Sequence, residues 1–159
     1  MLYEKRPSGF KPENIVSGCF VEFDGRLLLL KRWPDKRYGG KWGIPGGKSE
    51  RGEAPRRTAI RETGEEAGID VGKYGLRLAR KTYVRFPDQD FVYNIFQARL
   101  TQIEPVTLSN EHVDSVWATP LEALEMDLIM DLDACINMLY IQSGQMGLSA
   151  TLDTPQGLC

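Results

Sequence analysis

The sequence predicts a mixed α/β domain, and three observations carry that prediction. Strand-like apolar segments alternate with helix-like ones, the order expected when helices cover a sheet. Hydrophobic residues make up 42% of 159, enough for a chain of this length to bury a core without disulfides or metals. No repeat, linker or composition shift divides the chain, so one domain over residues 1–159 is expected.

The elements follow in order. Residues 15–23 read as a strand, and Asp24-Gly25 is a hairpin turn signal. The four leucines 27–30 read as a buried strand too short to show a period. Residues 31–41 are loop-like, and 42–45 form a short strand. Gly46-Gly47 is expected to end that strand through the dihedral freedom of glycine. A helix should begin near Glu53, with Pro55 tolerated in its first turn, and stop at Gly68. Strands are expected at 76–86 and 91–100, joined by a Pro87-Asp88 turn, and at 113–118. Thr119-Pro120-Leu121-Glu122 fits a capping box with proline at the first helical position. A last helix should span 131–142, and the polar stretch 143–159 is expected to be a mobile tail.

Charge and composition narrow the function. A net charge of −2 argues against binding a nucleic-acid polymer, since such proteins are usually strongly basic. Cys19, Cys135 and Cys159 form neither a disulfide framework nor a zinc spacing, and read as reduced thiols. The first residues lack the apolar core of a signal peptide, and no run reaches the roughly 20 apolar residues of a membrane helix. A cytoplasmic protein that does not engage a membrane is expected.

The stretch "RETGEEAGI", 61–69, carries the chemistry. Like charges at i,i+4 cost roughly 0.2–0.5 kcal/mol per pair. The C-terminal end of a helix is the unfavourable end for anions. Gly64 adds about 1 kcal/mol relative to alanine. At about 100° per residue, Glu62, Glu65 and Glu66 share an arc of about 100°, while Ile60 and Ala67 lie on the far side and can pack on a sheet. A solvated acidic face is the plain alternative. The dipole end, the lack of lysines at i+4, and the upstream Gly-Gly turn weigh against it. A divalent cation resolves the conflict, because magnesium takes hard oxygen ligands and pairs carboxylates with substrate phosphates.

These residues resemble the signature of the Nudix hydrolase family, MutT-type: G-x5-E-x7-R-E-U-x-E-E-x-G-U, with U bulky and apolar. Gly47, Glu53, Arg61, Glu62, Glu65, Glu66, Gly68 and Ile69 fill it, and Thr63 stands where an aliphatic residue is usual. The resemblance extends loosely to "LLLLKR", "KWGIPGG" and "EHVDSVWATPLEAL". It implies an α/β/α sandwich around a mixed β-sheet. It implies hydrolysis of a phosphoanhydride in a nucleoside diphosphate linked to another group, with Mg2+ or Mn2+ as cofactor.

Carried over, Glu62, Glu65 and Glu66 are the metal carboxylates and the Gly46 carbonyl is a further ligand. Glu53 supports them through water or by pairing with Arg61, whose guanidinium orients a carboxylate bidentately. Glu111 resembles the loop glutamate that serves as base or extra ligand in some members, against the plain reading of an exposed loop carboxylate. His112, the single histidine, is expected to be an exposed loop residue.

Lys31, Arg32, Lys36, Arg37 and Lys41 cluster beside the glycine pair and could grip phosphates. Arg32 is the first choice because a strand end fixes its base, and Lys41 and Gly47 complete the expected substrate contacts. Trp33, Tyr38, Tyr83, Phe86 and Tyr93 are candidates to stack on a base, although strand alternation makes most such rings core. Three substrate readings compete. A nucleoside triphosphate pyrophosphatase, acting for example on oxidised dGTP, leads. A nucleotide-sugar or ADP-ribose pyrophosphatase and a dinucleoside polyphosphate hydrolase follow. A nucleotide sensor without turnover is the alternative of another class, disfavoured because all four box glutamates are present. The partner is a small nucleotide, with a homodimer as an alternative to the monomer.

Overall fold

The longest strand organises the molecule in this computed structural model, which describes residues 1–142. The tail expected from residue 143, with Cys159, lies outside the described residues. β1 (Leu2–Tyr3), β2 (Pro12–Phe23), β3 (Arg26–Arg32), β4 (Trp42–Gly43) and β5 (Gly46–Lys48) precede α1 (Pro55–Ala67). After a 3-10 turn at Val71–Tyr74 come β6 (Arg77–Arg85), β7 (Asp90–Arg99) and β8 (His112–Ala118). α2 (Pro120–Leu124) and α3 (Leu132–Ile136) follow, and α3 runs on as a π-helical turn, Asn137–Ile141.

One eight-stranded sheet has the order β1-β6-β7-β2-β3-β4, with β5 also on β2 and β8 also on β3. It is mixed: β2 runs parallel to β7 along its whole length, and the other pairs are antiparallel. On its other edge β2 changes partner. Its middle pairs with β5 (Val16↔Lys48 to Gly18↔Gly46) and its end pairs with β3 (Glu22↔Leu27). β3 and β5 therefore share one edge of a single strand.

Helices cover both faces, giving the expected α/β/α sandwich. Cys19, Val21, Leu28, Leu30, Phe96 and Ala98 pack with Ala59 and Ala67 of α1. Phe20, Leu27, Leu29 and Ile95 pack with Ala123, Leu132, Cys135 and Ile136 of α2 and α3. The leucine run has no visible period because alternate leucines enter two cores and all four are buried. The capping box at Thr119 and Glu122 is present. No helix among the described residues is long and apolar enough to cross a membrane.

The glycine pair departs from expectation. Gly46 and Gly47 do not end a strand; they open β5, and neither has a positive φ. Glycine is required there by close approach. A Cβ on Gly46 would run into the Ser17 carbonyl, and one on Gly47 into the Glu62 carboxylate. β2 also begins three residues earlier than expected. β1 and the 3-10 turn carry no periodic signal, being two and four residues long.

Candidate active site

α1 presents its two sides to different surroundings. Ala54 caps its start without a side-chain hydrogen bond, Pro55 follows, and Gly68 ends it at φ 71 with its N–H donating to the Gly64 carbonyl. Ala59, Thr63 and Ala67 face the sheet. Thr63 is fully buried, and its hydroxyl donates to the Ala59 carbonyl at 2.7 Å, so the departure from the signature leaves no unsatisfied polar group.

Arg61 is the hub of the outer side. Its Nε and Nη2 grip Glu53 bidentately at 2.8 and 2.9 Å, and Nη2 also donates to the Lys48 carbonyl at 3.1 Å. Its Nη1 donates to Glu62 at 2.9 Å and to Glu65 at 3.4 Å. Arg61, then the Thr58 hydroxyl, holds the Glu53 carboxyl down at about 2. Glu65 is exposed, whereas Glu62 is half-buried with its carboxylate over Gly47. Burial raises the Glu62 pKa; Arg61 opposes this, and the charges of Glu65 and Glu111 add to it.

Glu66 lies at the border of the buried side, 7% exposed, accepting one hydrogen bond from the Gly46 N–H at 3.0 Å. Burial pushes its carboxyl up to about 8; the Gly46 amide opposes the shift, and Glu62 and Glu111 reinforce it. No cation pairs with it directly among the described residues.

Glu111 reaches this cluster from the loop before β8, half-exposed, with Oε2 3.7 Å from the Arg32 guanidinium. Arg32 also donates from Nε to the Arg37 carbonyl at 2.8 Å. The Trp33 N–H donates to the Glu111 carbonyl at 3.1 Å, which ties the end of β3 to the Glu111 loop. Lys41 points elsewhere, with its ammonium on Asp127 at 2.6 Å. His112 is not the exposed loop residue expected: it opens β8, is 6% exposed, and its Nδ1 has no hydrogen-bond partner. Burial, then the Arg32 charge, lowers its pKa and favours neutral imidazole.

The structure thus gathers Gly46, Gly47, Glu53, Arg61, Glu62, Glu65, Glu66, Arg32 and Glu111, and leaves out Lys41. Among the described residues no three acidic, histidine or cysteine side chains close on a common point. Glu62 and Glu65 turn to Arg61, and Glu66 to the Gly46 amide.

Behind β5 lies an apolar cavity of about 170 Å3 lined by Tyr38, Ile44, Gly46, Phe86, Phe91, Tyr93 and Ile129, among others. Its rings meet edge-to-face in series: Tyr38–Phe86 at 6.4 Å, Phe86–Phe91 at 5.2 Å and Phe91–Tyr93 at 6.3 Å between centroids. A groove lined by Arg32, Arg37, Gly47 and Lys48 shares Tyr38, Phe86 and Phe91 with it. Cavity and carboxylates therefore stand on either side of the Gly46-Gly47 backbone. Of the rings named from sequence, Tyr83 packs against Phe10 instead, at 5.4 Å. Phe91 was not among them; its i,i+2 spacing from Tyr93 on one strand was the available signal. Cys135 lines the cavity and Cys19 lies in the α1 core; burial pushes both thiols up to about 12, far from reactive thiolates.

Comparison with known proteins bears on the family and the fold. The family model for the NUDIX domain matches residues 11–135. The CTP pyrophosphohydrolase of Escherichia coli is 30% identical over 115 residues, covering 71% of this chain and 81% of that protein. A putative 8-oxo-dGTP diphosphatase of Mycobacterium tuberculosis is 28% identical over 104 residues, 64% of this chain and 48% of that longer protein. Among solved structures, a MutT protein of Methanosarcina mazei superposes with a TM-score of 0.71 at 25% identity, covering 81% of this chain and 94% of that one.

Proposed function

The chain belongs to the Nudix family of hydrolases acting on pyrophosphate bonds, and on that premise we propose that it cleaves nucleoside triphosphates to the monophosphate and pyrophosphate. The observation that carries this reading is the shared wall. An aromatic cavity suited to a base and a carboxylate cluster suited to a polyphosphate lie on two sides of Gly46-Gly47. The relatives named for CTP and 8-oxo-dGTP support a triphosphate, and oxidised dGTP is a candidate substrate.

The donor set fits a hard divalent cation, Mg2+ or Mn2+. It offers carboxylate oxygens from Glu62, Glu65 and Glu66 with the Gly46 carbonyl, and burial pushes the Glu62 and Glu66 carboxyls toward protonation, a shift that a bound cation would oppose. When bound, such an ion neutralises phosphate charge and lowers the pKa of a coordinated water. The side chains do the rest. Arg61, locked on Glu53 and on the Lys48 carbonyl, keeps α1 against β5, and Glu62 and Glu65 beside it would be the carboxylates to hold the ion. Gly47, lacking a Cβ, lets phosphate oxygens approach the backbone. Arg32 pairs with the phosphate chain in place of Glu111, and Glu111, so freed, takes the proton of the attacking water. Arg37 and Lys48 line the phosphate groove, which leaves Lys41 a structural role on Asp127. The substrate is a small nucleotide, and a cytoplasmic site of action fits it.

A hydrolysis screen with Mg2+ or Mn2+ over nucleoside triphosphates, ADP-ribose, nucleotide sugars and dinucleoside polyphosphates tests the reading. Monophosphate and pyrophosphate from triphosphates is the expected product pair. Turnover confined to the other classes overturns it.

A further inference from the structure

A helix ends in carbonyls that its own amides cannot reach, and α1 is no exception. The Gly68 N–H takes the Gly64 carbonyl, and no basic side chain lies in the last turn to serve the others. Two amides from residues 100–111, the connection between β7 and β8, do so instead. The Thr107 N–H donates to the Ala67 carbonyl at 2.9 Å and the Ser109 N–H to the Glu66 carbonyl at 3.3 Å. The alternate residues Val106 and Leu108 pack against the core that Ala59 and Ala67 share with the sheet. A Cβ on Gly68 would come within 3.0 Å of the Thr107 Cβ, so this glycine also gives the segment passage. Upstream, Glu104 is held by the Tyr74 hydroxyl and by the Lys73 ammonium at 3.1 Å. Ser109 is where the anchored segment meets Glu111. Its Oγ accepts from the Glu111 N–H at 3.4 Å and its carbonyl from the His112 N–H at 3.3 Å. A serine bonded to its own chain two residues on shapes a turn. From the other side, the Trp33 N–H holds the Glu111 carbonyl at 3.1 Å. The Glu111 backbone is thus held between the helix that carries Glu66 and the strand that carries Arg32.

We propose that Ser109 is a positioning residue for the hydrolysis, setting Glu111 against Glu66 so that one turn of α1 governs both a metal carboxylate and the proton acceptor. This rests on the reading above, in which Glu111 takes the proton of the attacking water. Ser109 itself touches no reacting atom; it acts through the Glu111 backbone. A small misplacement of a reacting group is costly in rate, whereas substrate binding rests on the groove and the cavity and should not change.

The test measures CTP and dGTP hydrolysis with Mg2+ in the wild type, Ser109→Ala, Ser109→Thr, Glu111→Gln, the Ser109→Ala/Glu111→Gln double variant, and Asn110→Ala as an exposed neighbour. Ser109→Ala keeps the amide on Glu66, so its melting temperature should match the wild type. It should lower kcat about tenfold and leave KM unchanged, the scale of a displaced reacting group. Ser109→Thr, which keeps the hydroxyl, should recover most of the rate, and Asn110→Ala should lose none. The double variant should be no slower than Glu111→Gln alone, because the serine acts through the glutamate. Amide hydrogen exchange by nuclear magnetic resonance needs no substrate: the Glu111 N–H should exchange about fivefold faster in Ser109→Ala, the size of one hydrogen bond, and at the wild-type rate in Ser109→Thr. Unaltered exchange, a rise in KM with kcat intact, or a further loss in the double variant overturns the proposal. A slow Glu111→Gln beside a fully active Ser109→Ala overturns it while sparing the proton acceptor. A Glu111→Gln variant as fast as the wild type overturns the proton-acceptor reading itself.

Discussion

The carboxylate face of α1 and the aromatic cavity behind β5 touch at Gly46, yet they are built on opposite plans. The first comes from one short run, residues 46–66, in which helix periodicity alone brings Glu62, Glu65 and Glu66 to one side. The second is assembled from β5, the loop after β3, the ends of β6 and β7, and the segment before α3. The first is polar and electrostatically unfavourable: Glu66 is buried with one backbone amide as its hydrogen-bond partner, and the charges of Glu62 and Glu111 add to the effect of burial while Arg32 opposes it. The second is apolar and self-supporting, its rings packed edge to face. A local polar motif can be held in unfavourable electrostatics because the helix and the Arg61 fork fix it. An apolar cavity depends on long-range packing and stores no comparable repulsion.

The sharpest way to break this contrast is Glu66→Gln. It should lower hydrolysis by about a thousandfold, the scale of losing a charge-stabilising group, while the fold stays intact. Pyrophosphate release and far-ultraviolet circular dichroism on the same preparation check it. Stability should move the opposite way. The folded-state pKa of Glu66, about 8, stands above the ordinary 4.5, so folding favours the protonated form. Its contribution is whole below about pH 4.5 and is lost as pH rises through about 8. Metal-free thermal melts across that range should show the wild type losing stability and Glu66→Gln losing less. Excess magnesium should raise the wild-type melting temperature and leave the variant nearly unmoved.

Next in size is Gly47→Ala. Its backbone is not in the left-handed region, so the cost falls on the Glu62 carboxylate, which the new methyl displaces. An activity loss of about tenfold to a hundredfold is expected, the range for disturbed metal-site orientation, with little change in melting temperature. A variant with wild-type activity would show that Glu62 need not sit where it does. Phe91→Ala tests the other region and should raise KM about tenfold with kcat nearly intact, because it removes a stacking surface and leaves the carboxylates alone. Smallest of all is Thr63→Val. The hydroxyl donates to a carbonyl within its own helix, so chemical denaturation should shift by about 1 kcal/mol or less and kinetics should not change.

Much of the fold was legible because its signals are local. The Asp24-Gly25 hairpin turn, Pro55 and Gly68 at the ends of α1, and the Thr119–Glu122 box sit where the sequence puts them. The glycine pair is needed for a reason its sequence does not show. Its sequence announces backbone freedom, but what makes side chains intolerable there is Ser17 on one side and Glu62 on the other, neither of them neighbours in sequence. His112 is buried for a related reason. A polar residue beside a polar loop reads as exposed, and only the pairing of β8 with β3 buries it opposite Arg32.

By itself, then, the sequence determined the family, the longer strands, the helix α1 and the side of it that carries the acids, since each is written in spacings of a few residues. Tertiary structure alone decided that Arg61 occupies Glu62 and Glu65, that Arg32 reaches Glu111, and that Phe91 rather than Tyr83 lines the cavity. Those facts depend on which distant strands become neighbours, and that is settled by the packing of two cores on one sheet, a sum of many weak apolar contacts that no short run of residues encodes.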